Sequence, residues 1–344
     1  MHRALRLILV AALALCAGRA AAEVVRDLYS ARVPVTDQRS ETLASAAQDA
    51  LGQVLVKVSG SEEALGNPLV RKAMPEARSH VQQYVYNRAD DGSLSARFEF
   101  DATYITGLVT QARLPLWTAN RPRVLAWLVV EQGGQRQFVG LDSSPELAAE
   151  LLREFDARGV PAQLPLFDLA DATALSLDQA WTLDGNAVIA ASGRYGVEDI
   201  LLGRVVATST GEWLGDWSYM FGRDRLDRSA RAPESRGFAR QGVVLAAESM
   251  ASRYAVAPSA GSDGLVVMTV SGIENYGDYA DLVDWLEDLE LIDHANVRLI
   301  TGDRLELGLV SLADSEDLAK LLELNRRLQP LASMPGQLDY QWQN

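Results

Sequence analysis

Cysteine is almost missing from these 344 residues: there is one, Cys16, and it lies in an N-terminal stretch with the features of a cleaved leader. Without it the chain has no disulfide, no thiol nucleophile and no thiolate metal ligand. Histidine is nearly as scarce, with only His80 and His294 beyond the leader, whereas zinc centres generally draw on several nitrogen or sulfur ligands. His80 falls where a predicted helix passes into a strand and reads as a junction residue. His294 shares a predicted strand face with Asn296 and Arg298, opposite Ala295, Val297 and Leu299, and reads as exposed. No Gly-x-Ser-x-Gly elbow, phosphate-binding Gly-Lys-Ser/Thr loop, His-Glu-x-x-His or twelve-residue calcium loop occurs. The sequence therefore assigns no catalytic residue, no cofactor and no metal site. Long apolar runs are also lacking after the leader; the densest, Val124 to Val130, suits a buried strand and is far too short to span a bilayer.

Basic residues are the minority charge, 32 against 46 acidic. Arg3 and Arg6 precede an apolar core from Leu7 to Ala17, and Ala20-Ala21-Ala22 supplies the small residues of a cleavage site. Residues 1–22 thus read as a signal peptide. Leu15 disfavours lipidation of Cys16, so the mature chain is expected to begin at Glu23 and to be periplasmic and soluble. Cleavage leaves a net charge of about −17. Such a field repels phosphate; nucleic acid and anionic lipid surfaces are poor partners.

Apolar periodicity implies an α+β fold of three consecutive modules, residues 23–115, 116–258 and 259–344. In the first, Leu43, Ala46, Ala47, Ala50, Leu51, Val54, Leu55 and Val58 form a helical stripe stopped by Gly60. A hairpin follows, with Tyr84 and Tyr86 on one arm, Asp90-Asp91-Gly92 at the turn, and Leu94, Ala96, Phe98 and Phe100 on the other. The middle module opens with a strand at Val124, continues in a helix begun by Pro145, and crosses a Pro- and Asp-rich connection from Pro161 to Asp184. It then reads as a short helix, a strand from Ile200 to Ala207, a return strand from Trp213 to Phe221, a mobile polar loop from Arg223 to Arg236, and a helix through Met250. Pro258 to Gly261 is the best linker. The last module reads as strand, helix, strand, strand, helix, strand, the order of a ferredoxin-like unit, and as complete enough to fold alone.

The strings VLVKVSG, LPLWTANRPRVLAWLV (Leu114 to Val129), RGVPAQLPLFD (Arg158 to Asp168) and ASGRYGVEDILLGRV (Ala191 to Val205) resemble the proteobacterial family DUF2066. That family is defined by its pattern and its secretion signals, so the resemblance implies a periplasmic compartment and assigns no catalytic residue. More loosely, the middle module is similar in element order to periplasmic domains of curli-secretion and Tol-system proteins, a likeness of fold that carries no function.

Two sets of residues are candidates for function. The first is the aromatic side of the return strand, Trp213, Trp217, Tyr219 and Phe221, with Arg194, Tyr195 and Arg204 near its rim. Large aromatics and arginine suit a contact surface, and packing in the core is the competing use. The second is Asp168, Asp171, Asp178 and Asp184 in the long connection, where paired carboxylates would suit acid-base chemistry and a solvated loop is the plainer use. The sequence favours a noncatalytic binding or scaffolding protein of the bacterial cell envelope with an envelope protein as partner. The alternatives are a carboxylate-dependent envelope enzyme such as a glycan hydrolase, and a small-ligand receptor.

Overall fold

A computed structural model describes residues 22–89, 92–257, 265–325, 327–331 and 337–343. Residues 1–21 of the expected leader, Asp90 and Asp91 of the expected hairpin turn, and the expected linker from Pro258 to Gly261 lie outside the described residues. The fold is mixed α+β, with helices packed on several separate sheets.

Strand β1 (Ala22–Val24) pairs with β5 (Asn120–Pro122), framing the first module. Between them β2 (Ser30–Pro34), β3 (Val81–Arg88) and β4 (Leu94–Phe100) form an antiparallel sheet in the order β2-β4-β3. Helix α1 (Ser40–Ser59) packs its expected stripe on this sheet, and Gly60, at φ 80°, closes it by donating its N–H to the Val56 carbonyl at 2.8 Å. Two more helices, α2 (Pro68–Ala73) and α3 (Ala102–Gln111), complete the module; Asn67 and Asp101 cap them through their side chains.

The middle module is built around β6 (Val124–Gln132), whose residues Val124 to Val130 are all buried. Helices lie on both sides of it, which is why this strand reads as an unbroken apolar run instead of an alternation. Its neighbours are β7 (Gln135–Phe138), antiparallel, and the short parallel β8 (Ala162–Gln163), which follows helix α4 (Pro145–Ala157). The connection after β8 folds into α5 (Leu169–Ala174), α6 (Leu177–Trp181) and α7 (Gly185–Ser192). The first two are too short to show a helical period, the third is the short helix expected from the sequence, and each begins at a side-chain cap, respectively Asp168, Ser176 and Asp184. Strand β9 (Asp199–Ala207) runs parallel to β6, and β10 (Trp213–Phe221) and β11 (Asp224–Ala232) extend the sheet antiparallel. The expected mobile loop is therefore mostly strand: Asp224 to Ala232 pairs along the whole of β10. Its first six residues are exposed, as an edge strand open on both faces would be, and so it carries no apolar alternation for the sequence to show. Helix α8 (Ser235–Tyr254) lies with α4 on one face of the sheet, and α5 to α7 lie on the other.

The last module contains β12 (Leu265–Ser271), α9 (Tyr276–Glu287), β13 (Ile292–Thr301), β14 (Arg304–Ser311), α10 (Ser315–Leu322), β15 (Leu328–Pro330) and β16 (Leu338–Trp342). The sheet order is β13-β14-β12-β16-β15. The first two crossings follow the expected unit, but the last strand runs parallel to β12. A helical crossover returns the chain parallel to the strand it left, and β15 takes that direction; the chain then turns once more, and β16 inserts between β15 and β12. Although the module reads as self-sufficient, its apolar core is continuous with that of the first module, whereas the middle module keeps two clusters of its own.

Candidate functional site

The aromatic strand face is core. Trp217 and Tyr219 are fully buried, so neither forms the contact surface considered for them. The Trp217 indole stacks on Phe238 with centroids 5.0 Å apart and donates its Nε1–H to the Phe238 carbonyl at 3.1 Å. It lies against Gly203 of β9 and Gly242 of α8, where an added Cβ would sit 2.4 Å from the ring on either side. The Tyr219 hydroxyl is shared with the buried Asp199 carboxylate and with Arg253 at 2.5 Å. Burial and the Asp199 charge push that phenol far above its usual range. Trp213 and Phe221, at the two ends of β10, are only partly covered.

The arginines and aspartates do come together, as ion-paired knots. Arg194 donates to both oxygens of Asp168, at 2.6 and 2.9 Å, and to Asp171 at 3.0 Å. Tyr195 donates to the other Asp171 oxygen at 2.6 Å, which also accepts the N–H of Phe167 at 2.8 Å. Asp168 in turn caps α5 through the Asp171 N–H at 3.0 Å. Arg194 holds the Asp168 carboxyl far below the usual carboxylate range, which suits a permanent anion and works against a general acid. Asp184 caps α7, and Asp178 stands exposed 3.9 Å from Arg136. Arg204 joins Asp216 at 2.9 Å and the Trp181 carbonyl at 3.0 Å, tying α6 to the sheet. Among the described residues no group of three or more His, Cys, Asp or Glu is placed to hold a metal ion. His80 stacks on Tyr104 at 3.4 Å, at the junction expected for it, and His294 is exposed on β13.

A polar node that the sequence did not single out joins all three modules. Arg121 is completely buried, and its five N–H groups meet five carbonyl oxygens, those of Thr118, Trp117, Lys57, Arg158 and Gly159, at 2.8–3.1 Å. Its guanidinium lies 3.8 Å from the centroid of the Trp117 ring. Burial pushes it down to about 9, so it remains a cation at neutral pH. Lys57, also buried and lowered by desolvation, donates to the carbonyls of Asp27 and Ser30. The counter-charge comes from the last module: Glu290 accepts from the Ala119 N–H at 3.2 Å and bonds Tyr29, and burial raises its carboxyl. The only trace of this node in the sequence is a lysine inside an apolar helical stripe, Val56-Lys57-Val58.

The last module presents two open surfaces. Its sheet is covered by α9 and α10 on one face, to which Leu305, Leu307 and Leu309 point; among the described residues the other face has no cover. Register places Leu265 and Val267 of β12, Val310 of β14 and Leu299 of β13 on that outer face; a register shift between Val297 and Leu299 brings Leu299 to the side of His294, where plain alternation put it on the opposite one. They are 48, 42, 40 and 57% exposed. The second surface is a cleft of about 510 Å³ between the β1–β5 pair and the C-terminal end of α9.

A sequence profile for a domain of unknown function, DUF8605, matches residues 22–118, the first module through Thr118. No curated protein matches the chain.

Proposed function

We propose that the mature chain is a noncatalytic binding or scaffolding component of the bacterial envelope, working in the periplasm, and that it docks another envelope protein on the open face of the last sheet. The observation that carries this reading is that Leu265, Val267, Val310 and Leu299 all stand exposed on one face of the sheet. A clustered apolar surface of this kind fits protein contact better than a solvated exterior. The leader and the resemblance to DUF2066 proteins support the compartment, and no described helix is long and apolar enough to cross a membrane. Against the glycan-hydrolase alternative, Asp168 and Asp171 are both ion-paired with Arg194, which holds the Asp168 carboxyl far below the usual carboxylate range. Against the receptor alternative, the cleft beside α9 and the one lined by Pro34 to Gln38 with Arg88 and Leu94 are open to solvent instead of enclosed.

The test is site-specific photocrosslinking in the intact periplasm from position 267, with position 189 on the middle module as the comparison site. A discrete heterologous adduct from 267 alone is expected. Identical adducts from both positions, or turnover on envelope glycans abolished by Asp178→Asn in a folded protein, would end the reading.

A further inference from the structure

The first module has an exposed sheet edge that stands apart from the docking face proposed above. Strand β3 ends the order β2-β4-β3, and from Gln82 to Val85 it is exposed on both of its faces. The Phe100 N–H donates to Tyr29 on the β2 side, and the Asp101 N–H donates to His80 on the β3 side. Continued along β4, that alternation bonds Glu99, Arg97 and Ser95 to their register partners Gln83, Val85 and Asn87. The backbone N–H and C=O groups of Tyr84 and Tyr86 therefore point away from β4, and among the described residues nothing pairs with them. The edge also lacks the usual protections. Strand β2, at the opposite edge, is mostly buried and ends in Pro34; β7 and β15 are four and three residues long; β13 is broken by two register shifts; and β11 carries Asp224, Arg225, Asp227, Arg228 and Arg231. After one shift at its start, β3 keeps a regular register from Gln83 to Arg88, with neither proline nor lysine and with charge only at Arg88.

The two faces beside this edge differ in chemistry. On the outer face lies a groove of about 280 Å³ lined by Arg32, Arg97, Glu99 and Val85. Register sets Arg32 of β2 directly opposite Arg97, midway along β4, and like charges so placed destabilise the pair. Asp27 is ion-paired with Arg97, while the exposed Arg32 has no carboxylate partner among the described residues. On the inner face the Tyr84 and Tyr86 rings meet edge to face, with centroids 5.8 Å apart, and Tyr84 also lies against Phe98. Tyr84 is 47% exposed, so an apolar surface continues to the rim of the sheet.

We propose that an extended segment of a partner protein, alternating acidic and apolar residues, adds to β3 as a further strand. Its backbone pairs with the outward groups of Tyr84 and Tyr86. Successive side chains of a strand fall on opposite faces, so its acidic residues enter the outer groove towards Arg97 and Arg32 while its apolar residues lie beside the two tyrosines. The charge of this occupant is the reverse of what the whole molecule attracts. A net acidic chain draws basic ligands, and a preference for an acidic segment has to come from the local arginine pair.

The test measures fluorescence anisotropy of labelled Thr-Val-Glu-Val-Glu-Val-Thr amide with the full mature chain. Saturable binding is expected, weakened about fivefold by Arg32→Glu and unaltered by Arg71→Glu, which makes the same charge change on α2. The Arg32 variant should melt no lower than the parent, because it relieves the repulsion with Arg97; the binding loss is thereby separated from unfolding. Two further probes leave the protein untouched. Methylating the backbone nitrogens of alternate probe residues blocks the N–H groups on one side of the added strand, so one alternate set should abolish binding and the other should preserve it. No saturable binding, or the same result from both methylated sets, would mean that no strand is added. Undiminished affinity with lysine in place of both glutamates would remove the acidic segment, and equal weakening by Arg71→Glu would reduce the effect to bulk charge. A mature chain that dimerises and refuses the probe would make the occupant a second copy. Each of these results overturns the proposal.

Discussion

The sheet of the middle module is sandwiched between helices, and the sheet of the last module is half bare. In the first, β6 buries side chains on both faces, Leu125, Trp127 and Val129 to one side and Val124, Ala126, Leu128 and Val130 to the other. In the second, Leu305, Leu307 and Leu309 of β14 are buried while Val310 and its neighbours Leu265 and Val267 are exposed. The contrast shows how one residue class serves two ends. Tryptophan and tyrosine on the covered sheet look like a recognition surface when read along the strand, yet they fill the space between sheet and helix. Plain aliphatic residues on the half-bare sheet attract no notice in the sequence, yet Leu265, Val267, Val310 and Leu299 all stand exposed on its uncovered face.

The sharpest way to break this contrast is to truncate one side chain on the covered sheet. Trp217→Ala leaves a cavity bounded by Phe238, Gly203 and Gly242 and should lower stability by about 3–5 kcal/mol, read by denaturant unfolding. A loss below about 1 kcal/mol would mean that the indole is not core, and the two sheets would no longer differ in kind.

The second expectation concerns the node that joins the modules. Glu290→Ala strands the Tyr29 hydroxyl and the Ala119 N–H and should cost about 1–3 kcal/mol. Glu290→Gln keeps an acceptor and removes a carboxylate that burial disfavours. Because the folded-state value of Glu290 is raised, its contribution is most favourable below the unfolded value of about 4.3 and declines as pH rises through the folded value. The Gln variant should therefore gain on the parent as pH increases towards neutrality, measured by thermal unfolding across pH. A relative loss on raising the pH would show instead that the ionised carboxylate is needed beside Arg121.

A smaller effect is expected at Asp168, where Arg194 depresses the carboxyl. The sign is opposite to that of Glu290. Stability from Asp168 is present above its unfolded value of about 3.9 and lost as pH falls through the folded one. Asp168→Asn should lower the melting temperature slightly at neutral pH, through the weakened cap and ion pair, and the difference should close in strong acid. A difference that persists unchanged in strong acid would assign the effect to the cap alone.

Much of this architecture was legible because it obeys a period. The stripe of α1, the alternation of β4 and the run of β6 each repeat long enough to identify an element. What escaped lacks such a repeat. Strand β11 is an edge with little to bury, α5 and α6 span barely one turn, and the direction of β16 depends on the three residues of β15. The candidate site divides in the same way. That Trp217 and Tyr219 share a face follows from strand geometry, but what lies opposite them is α8, supplied by residues further along the chain. Arg194 and Asp168 meet only because α5 to α7 double back, and Arg121 gathers carbonyls from its own loop and from two distant segments. Proximity of this kind is a property of the fold and leaves no local mark.

The smallest change in stability is expected on the half-bare sheet, and it is the most informative for function. Leu299 projects from the edge strand β13 and Val267 from β12, both on the uncovered face. Replacing each by serine removes apolar surface that water already reaches, so the folded state loses little of its burial; the change should stay within about 0.5 kcal/mol. Binding reads the same residues in a different environment, because a docked partner would exclude that water. Each truncated side chain then forfeits transfer energy on the order of 1 kcal/mol or more, and the double variant should lose about tenfold or more in partner capture. The two measurements together separate a surface from a core: large stability loss with Leu299→Ser would mean that this face is covered after all, whereas undiminished capture by a stable double variant would leave the exposed row without a role in docking.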